Sequence, residues 1–152
     1  MEISIKWKAL NISKGAAIMS IGYCAYADLV QADETLVMYT YCCFNNNNED
    51  YKRYVNSKDG EIYIDRAAFA GPEIQTKKKK SSGKSITVIK RSPRDVQFDE
   101  LIRSGGIKVK NASGTWRTTD FGIDVMALRI LFKLFDEYQK TGTVPEHIGY
   151  NA

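Results

Sequence analysis

The sequence predicts an α+β fold. An antiparallel β-sheet of about five to seven strands, drawn from the N-terminal two-thirds, packs against one long C-terminal helix, with a short extra helix near residues 99–104. Three observations carry this expectation. Residues 16–27 and 35–44 are uncharged and rich in Ile, Val, Met and Tyr, as central strands covered on both faces are. Residues 121–140 combine one narrow polar stripe (Arg129, Lys133, Asp136, Glu137, Lys140) with a wide apolar arc from Ile123 to Tyr138, the pattern of a helix buried against a sheet. The strand-like runs come first and the main helix last, in a single domain spanning 1–152.

The elements follow in order. Ile3, Ile5, Trp7 and Ala9 alternate with Ser4, Lys6 and Lys8, the period-two pattern of a half-buried strand, and Asn11 to Gly15 is turn-rich. The strands at 16–27 and 35–44 are expected to form a hairpin turning near Gln31, which sets Cys24 opposite Met38 and Tyr23 opposite Tyr39. Asn45 to Asp50 reads as a loop. Tyr51–Val55 and Glu61–Asp65 flank Ser57-Lys58-Asp59-Gly60, and Asp-Gly between two such runs signals a second hairpin. A third runs from Ile74 to Arg91, with Lys80 to Lys84 at its tip and Ile86 to Ile89 as the return strand.

After that, Asp99 is the expected start of a short helix, with Val96 to Phe98 extended and Gly105-Gly106 as its stop. A helix start at Ser92-Pro93 is the less favoured alternative. Ile107 to Lys110 reads as an edge strand and Asn111 to Gly114 as a turn. Thr119 or Asp120 is the expected cap of the long helix, and Gly142 sits just past its end.

The charge is unevenly distributed. Eight of the 22 basic residues (Lys77, Lys78, Lys79, Lys80, Lys84, Lys90, Arg91 and Arg94) fall within 77–94, where there is no acidic residue. Without them, 14 basic residues face 18 acidic ones, and the formal charge of +4 becomes −4. The sequence pI near 8.9 therefore describes one segment, a projecting basic hairpin or loop at 75–92. Such a field attracts an anionic partner or keeps a loop solvated.

Composition narrows the function classes. Apolar content of 43% with 26% charge is that of a folded chain. The start lacks the layout of a secretory signal, and the longest uncharged stretch, Gly15 to Ala27, is too short to span a bilayer, so a cytoplasmic location without a membrane partner is expected. Cys24, Cys42 and Cys43 have no CxxC spacing and read as buried thiols in a reducing compartment.

Candidate chemistry is sparse. His147 is the sole histidine, and its tail carries none of the partners of a Ser-His-Asp or Cys-His set or of a two-His metal site. Asp50-Tyr51-Lys52 is a bare acid-x-Lys element of the kind metal-dependent nucleases use, without a recognisable second acid. Asp124, off the charged face of the long helix, suits a cap or a buried partner for Arg117 better than a catalytic acid. No phosphate-binding glycine loop occurs, so no cofactor is expected.

The expected function is that of a non-catalytic binding protein of the inhibitor, immunity or adaptor type. It would contact an acidic protein surface through Lys77, Lys78, Lys79, Lys80, Lys84, Lys90 and Arg91, with Tyr51 and Tyr54 as aromatic anchors. The alternative is a nucleic-acid-binding protein using the same arm, with surface tyrosines such as Tyr39 and Tyr41 to stack bases. A carboxylate-based, metal-dependent hydrolase ranks third.

Overall fold

The computed structural model describes residues 22–81 and 83–152. The strand expected at Ile3–Ala9, the turn after it and the beginning of the 16–27 strand lie outside these residues. Among the described residues, five antiparallel strands form the main sheet in the order β6-β3-β2-β1-β7, with β1 at Tyr23–Ala32, β2 at Leu36–Asn45, β3 at Gly60–Asp65, β6 at Ile107–Lys110 and β7 at His147–Asn151. β4 (Glu73–Ser81) and β5 (Lys84–Ser92) form a separate two-stranded ribbon. Helix α1 is a single turn (Glu49–Lys52), α2 spans Phe98–Ser104 and α3 spans Val125–Thr141. The expected α+β architecture is present.

The core lies between α3 and one face of the sheet. Alternation along the strands sends Ala25, Ala27, Val37, Tyr39, Tyr41, Cys43, Ile62, Ile64 and Ile107 to that face, where all are buried. Leu128, Ile130, Leu131, Leu134 and Phe135 of α3 meet them. Phe135 also stacks on Phe69 and takes the edge of Phe98, which ties α2 and the chain before β4 to the same core. Gly142, at φ 74° with its N–H on the Tyr138 carbonyl, ends α3 as its position predicts.

Several expectations need correction. The β1–β2 turn lies at Asp33–Thr35, beyond Gln31, because the Asp33 carboxylate accepts the Thr35 and Leu36 N–H groups, each at 2.8 Å. A bulge between Leu29 and Gln31 shifts the register further. Cys24 therefore pairs with Phe44 and Tyr23 with Asn45. The 51–65 hairpin does not form. Asn48 caps α1 by accepting the Asp50 N–H at 3.0 Å, which turns Tyr51–Val55 away from the sheet, and β3 pairs with β2 and β6 instead.

α3 starts at Val125, four residues later than expected, because Gly122 adopts φ 78° and an isolated bridge from Thr118 to Asp124 holds the preceding chain extended. Arg129 is buried, not solvated, with its guanidinium 5.4 Å from the Tyr150 ring centre. Strand β7, in a stretch without a strand-like pattern, pairs with β1 from Cys24↔Asn151 to Asp28↔His147. Among the described residues, no helix is long and apolar enough to cross a membrane.

Gly60 opposes Tyr41 in the β2–β3 pairing, and a Cβ there would stand 2.3 Å from the Tyr41 ring. Gly60→Ala is expected to lower the unfolding free energy by about 1–3 kcal/mol through overpacking, read as a lower urea midpoint at unchanged slope.

Candidate functional site

The β4–β5 ribbon is the candidate interaction surface. Its register runs from Glu73↔Ser92 to Ser81↔Lys84, and cross-strand partners share a face. Lys77, Lys84 and Lys90 share one face with Ile86 and Val88, while Lys78 and Lys80 share the other with Ile74 and Ile89. Lys79 and Arg91 lie near the ends of β4 and β5, respectively. From Glu73 to Lys90 every residue whose side chain is described is exposed. Among the described residues, none of Lys77, Lys78, Lys80, Lys84 and Lys90 forms an ion pair with the chain's own carboxylates. The ribbon carries seven cations and one carboxylate, which leaves 15 basic and 17 acidic residues in the rest of the chain.

Two side chains hold its base. The Arg94 guanidinium donates from Nε to the Gly71 carbonyl at 3.1 Å, joining the chain just before β4 to the chain just after β5. Gln139, near the end of α3, accepts the Arg94 N–H at 2.6 Å and donates to the Arg94 carbonyl at 2.7 Å. The eighth cation of the sequence cluster is thus a strut at the base of the ribbon and not one of its projecting charges. Beside it, Ala68, Arg94, Val96, Glu100, Leu101 and Ser104 help line a groove of about 370 Å³.

Tyr51 and Tyr54 are not brought to the ribbon. Tyr51 lies 6.5 Å from Tyr54 and 6.2 Å from Trp116, whose ring in turn is 5.2 Å from Tyr23. The Arg53 guanidinium sits 4.9 Å over the Tyr54 ring and donates to its hydroxyl. This half-buried aromatic cluster adjoins the start of α3, since a Cβ on Gly114 would touch both Tyr54 and the Cys43 carbonyl. Gln139, which holds the ribbon, is at the other end of α3, roughly 22 Å away at about 1.5 Å of rise per residue. Tyr39 and Tyr41 share a face as expected, but both are fully buried beneath α3 and offer no stacking platform.

Asp124 is the best-connected polar group of the core. Its Oδ1 accepts the Met126 N–H at 3.0 Å and so caps α3. Its Oδ2 accepts the Tyr41 hydroxyl at 2.7 Å and the Cys43 thiol at 3.3 Å, and the Tyr41 oxygen accepts the Ala112 N–H at 3.0 Å. Burial pushes the Asp124 carboxyl above the ordinary aspartate value, against the pull of the bonds from Tyr41, Met126 and Cys43. Burial, reinforced by the adjacent carboxylate, also pushes the Tyr41 phenol and Cys43 thiol up. With three donors held inside the core, this carboxylate is structural, and among the described residues its neighbourhood meets Arg117 through the backbone, from the Val125 N–H to the Arg117 carbonyl.

Asp50 is exposed on α1. His147 is exposed on β7, with Nδ1 2.8 Å from Asp28, which also takes Lys58. The Lys58 hydrogen bond, then the one from His147, hold Asp28 below the usual carboxylate range. Among the described residues, no group of three or more His, Cys, Asp or Glu side chains is arranged to hold a metal ion. The three cysteines are free and buried, and Cys42 and Cys43 point to opposite sides of the sheet, toward the Val55 carbonyl and Asp124 respectively. No family model, curated protein or solved structure matches the chain.

Asp124→Ala is expected to cost about 2–4 kcal/mol, of which about 1 is the lost cap and about 1–3 the buried donors left unpaired. A carboxyl raised by folding contributes stability that is fully present below its unfolded value of about 3.9 and lost as pH rises through the folded value. Wild type should therefore gain stability relative to Asp124→Asn as pH falls from 7 toward 4, as measured by paired denaturant titrations.

Proposed function

We propose that the chain is a binding protein that acts by occupying a partner's acidic surface with the β4–β5 ribbon, as inhibitors, immunity proteins and adaptors do. The observation that supports this reading most is the exposure of Lys77, Lys78, Lys80, Lys84 and Lys90 on two strands that, among the described residues, pair only with each other. Alternate strand residues are about 7 Å apart, within the screening length of roughly 8–10 Å at physiological salt, so neighbouring lysines repel one another in the free chain. An acidic surface relieves that repulsion and adds attraction, and the ribbon's field would speed the encounter. The three free, buried thiols suit a reducing compartment.

A second reading, binding of duplex nucleic acid, has the ribbon's shape in its favour. The major groove admits a two-stranded β-ribbon, and lysines on both faces could reach phosphates on both groove walls. The exposed β-branched residues of the ribbon gain nothing from phosphates, which ranks the protein surface first.

Exposed charge contacts are worth about 0.2–1 kcal/mol each, so replacing Lys77 to Lys80 by Ala should weaken binding to polyglutamate by about tenfold or more at low salt. Fluorescence anisotropy measures this. If duplex DNA binds instead, with a log-linear salt slope that the same variant makes shallower by about 0.9 per lost phosphate contact, the second reading stands. Failure of the wild-type chain to bind either polyanion at low salt contradicts both.

A further inference from the structure

The two strands of the ribbon have different outer edges. β4 presents Lys77, Lys78 and Lys80, which place cations on both faces and guard its edge against pairing. β5 presents Ile86-Thr87-Val88-Ile89, four β-branched residues in a row, and all four are exposed. Ile89 is 62% exposed, Ile86 51% and Val88 40%, and Ile74 across the ribbon is 63% exposed. Among the described residues, β5 has no strand on its outer side. An extended, apolar, unpaired edge of this kind is a template for another strand.

We infer that the outer edge of β5 receives an extended acidic segment of a partner protein as a third, added strand. The inference rests on the proposed charge-guided binding and names its form. Backbone N–H and C=O groups of β5 would supply affinity, and side-chain alternation would supply specificity. A segment alternating acidic and apolar residues fits both needs. Its apolar side chains would cover Ile89 on one face, and its carboxylates would lie on the other, beside Lys84 and Lys90. A second copy of this chain fits worse, because pairing β5 with its counterpart would gather two sets of seven cations into one four-stranded sheet.

The test uses the full-length chain and a short fluorescent peptide of alternating Glu and Val. Polyglutamate of equal charge, the same peptide N-methylated along one backbone edge, and a DNA duplex serve as comparators. The alternating peptide should bind about tenfold more tightly than polyglutamate, and N-methylation should abolish that advantage by removing the ladder donors. Ile89→Ser should weaken the alternating peptide severalfold and leave polyglutamate unchanged. Amides of β5 that point away from β4 should become protected from hydrogen exchange when the peptide binds. Equal binding of the alternating peptide and polyglutamate overturns strand addition and leaves charge-guided binding standing. Tighter binding of the duplex, β5 amides already protected in the free chain, or arm-dependent dimers in sedimentation would each overturn it in favour of nucleic acid, the chain itself or a second copy as occupant. No binding of any anion removes both this inference and the reading it rests on.

Discussion

The Asp124 carboxylate is the contact on which the rest of the molecule's geometry depends. One buried group ends the chain's irregular passage from Ala112, starts α3, and fixes that helix to two residues of the central strand. Tyr41 extends the tie to the Ala112 N–H, so helix, strand and loop share a single polar node inside an apolar core. Taking a carboxylate out of water is costly, and the cost is offset only because each donor is already in place. The arrangement gives α3 one position along the sheet, where apolar contacts alone would tolerate sliding.

That position matters at the other end of the helix. Gln139 brackets Arg94 through both backbone polar groups, and Arg94 in turn holds Gly71, so the feet of the ribbon are tied to each other and to α3. The ribbon leaves the body from a braced base, which would limit the entropy lost on meeting the proposed partner. The charge balance reinforces the division of roles. The body is slightly acidic and the positive excess belongs to the ribbon, so an approaching anionic surface is drawn to one place.

What could be read from the sequence follows the range of the interactions involved. The ribbon was legible because its register and tip are set locally, by alternation around Ser81 and Gly83, and its charge is a matter of counting. The ends of α2 and α3 were legible for the same reason, since Gly105 and Gly142 both adopt the left-handed conformation that closes a helix. The β1–β2 register was not, because a bulge and four bonds to the Asp33 carboxylate move the turn, and neither leaves a periodic trace. Strand β7 is five residues long and contains a glycine, so only its pairing with β1 makes it a strand.

The candidate site divides in the same way. Lysine exposure on the ribbon followed from the sequence, whereas the separation of Tyr51 and Tyr54 from it is a tertiary fact set by α1 and the length of α3. Alternation placed Tyr39 and Tyr41 on a common face but could not say that α3 covers it. The node at Asp124 joins residues more than 80 positions apart, beyond the reach of any local pattern.

The central claim is that the chain's positive field is concentrated on an unneutralised, solvent-facing ribbon. Amide-proton relaxation by a small paramagnetic anion, compared residue by residue with its neutral analogue, measures that field directly. The account predicts an excess effect of the anion confined to residues 73–92 and abolished by high salt. An excess spread evenly over the sheet and α3, or no excess at the ribbon, would contradict it.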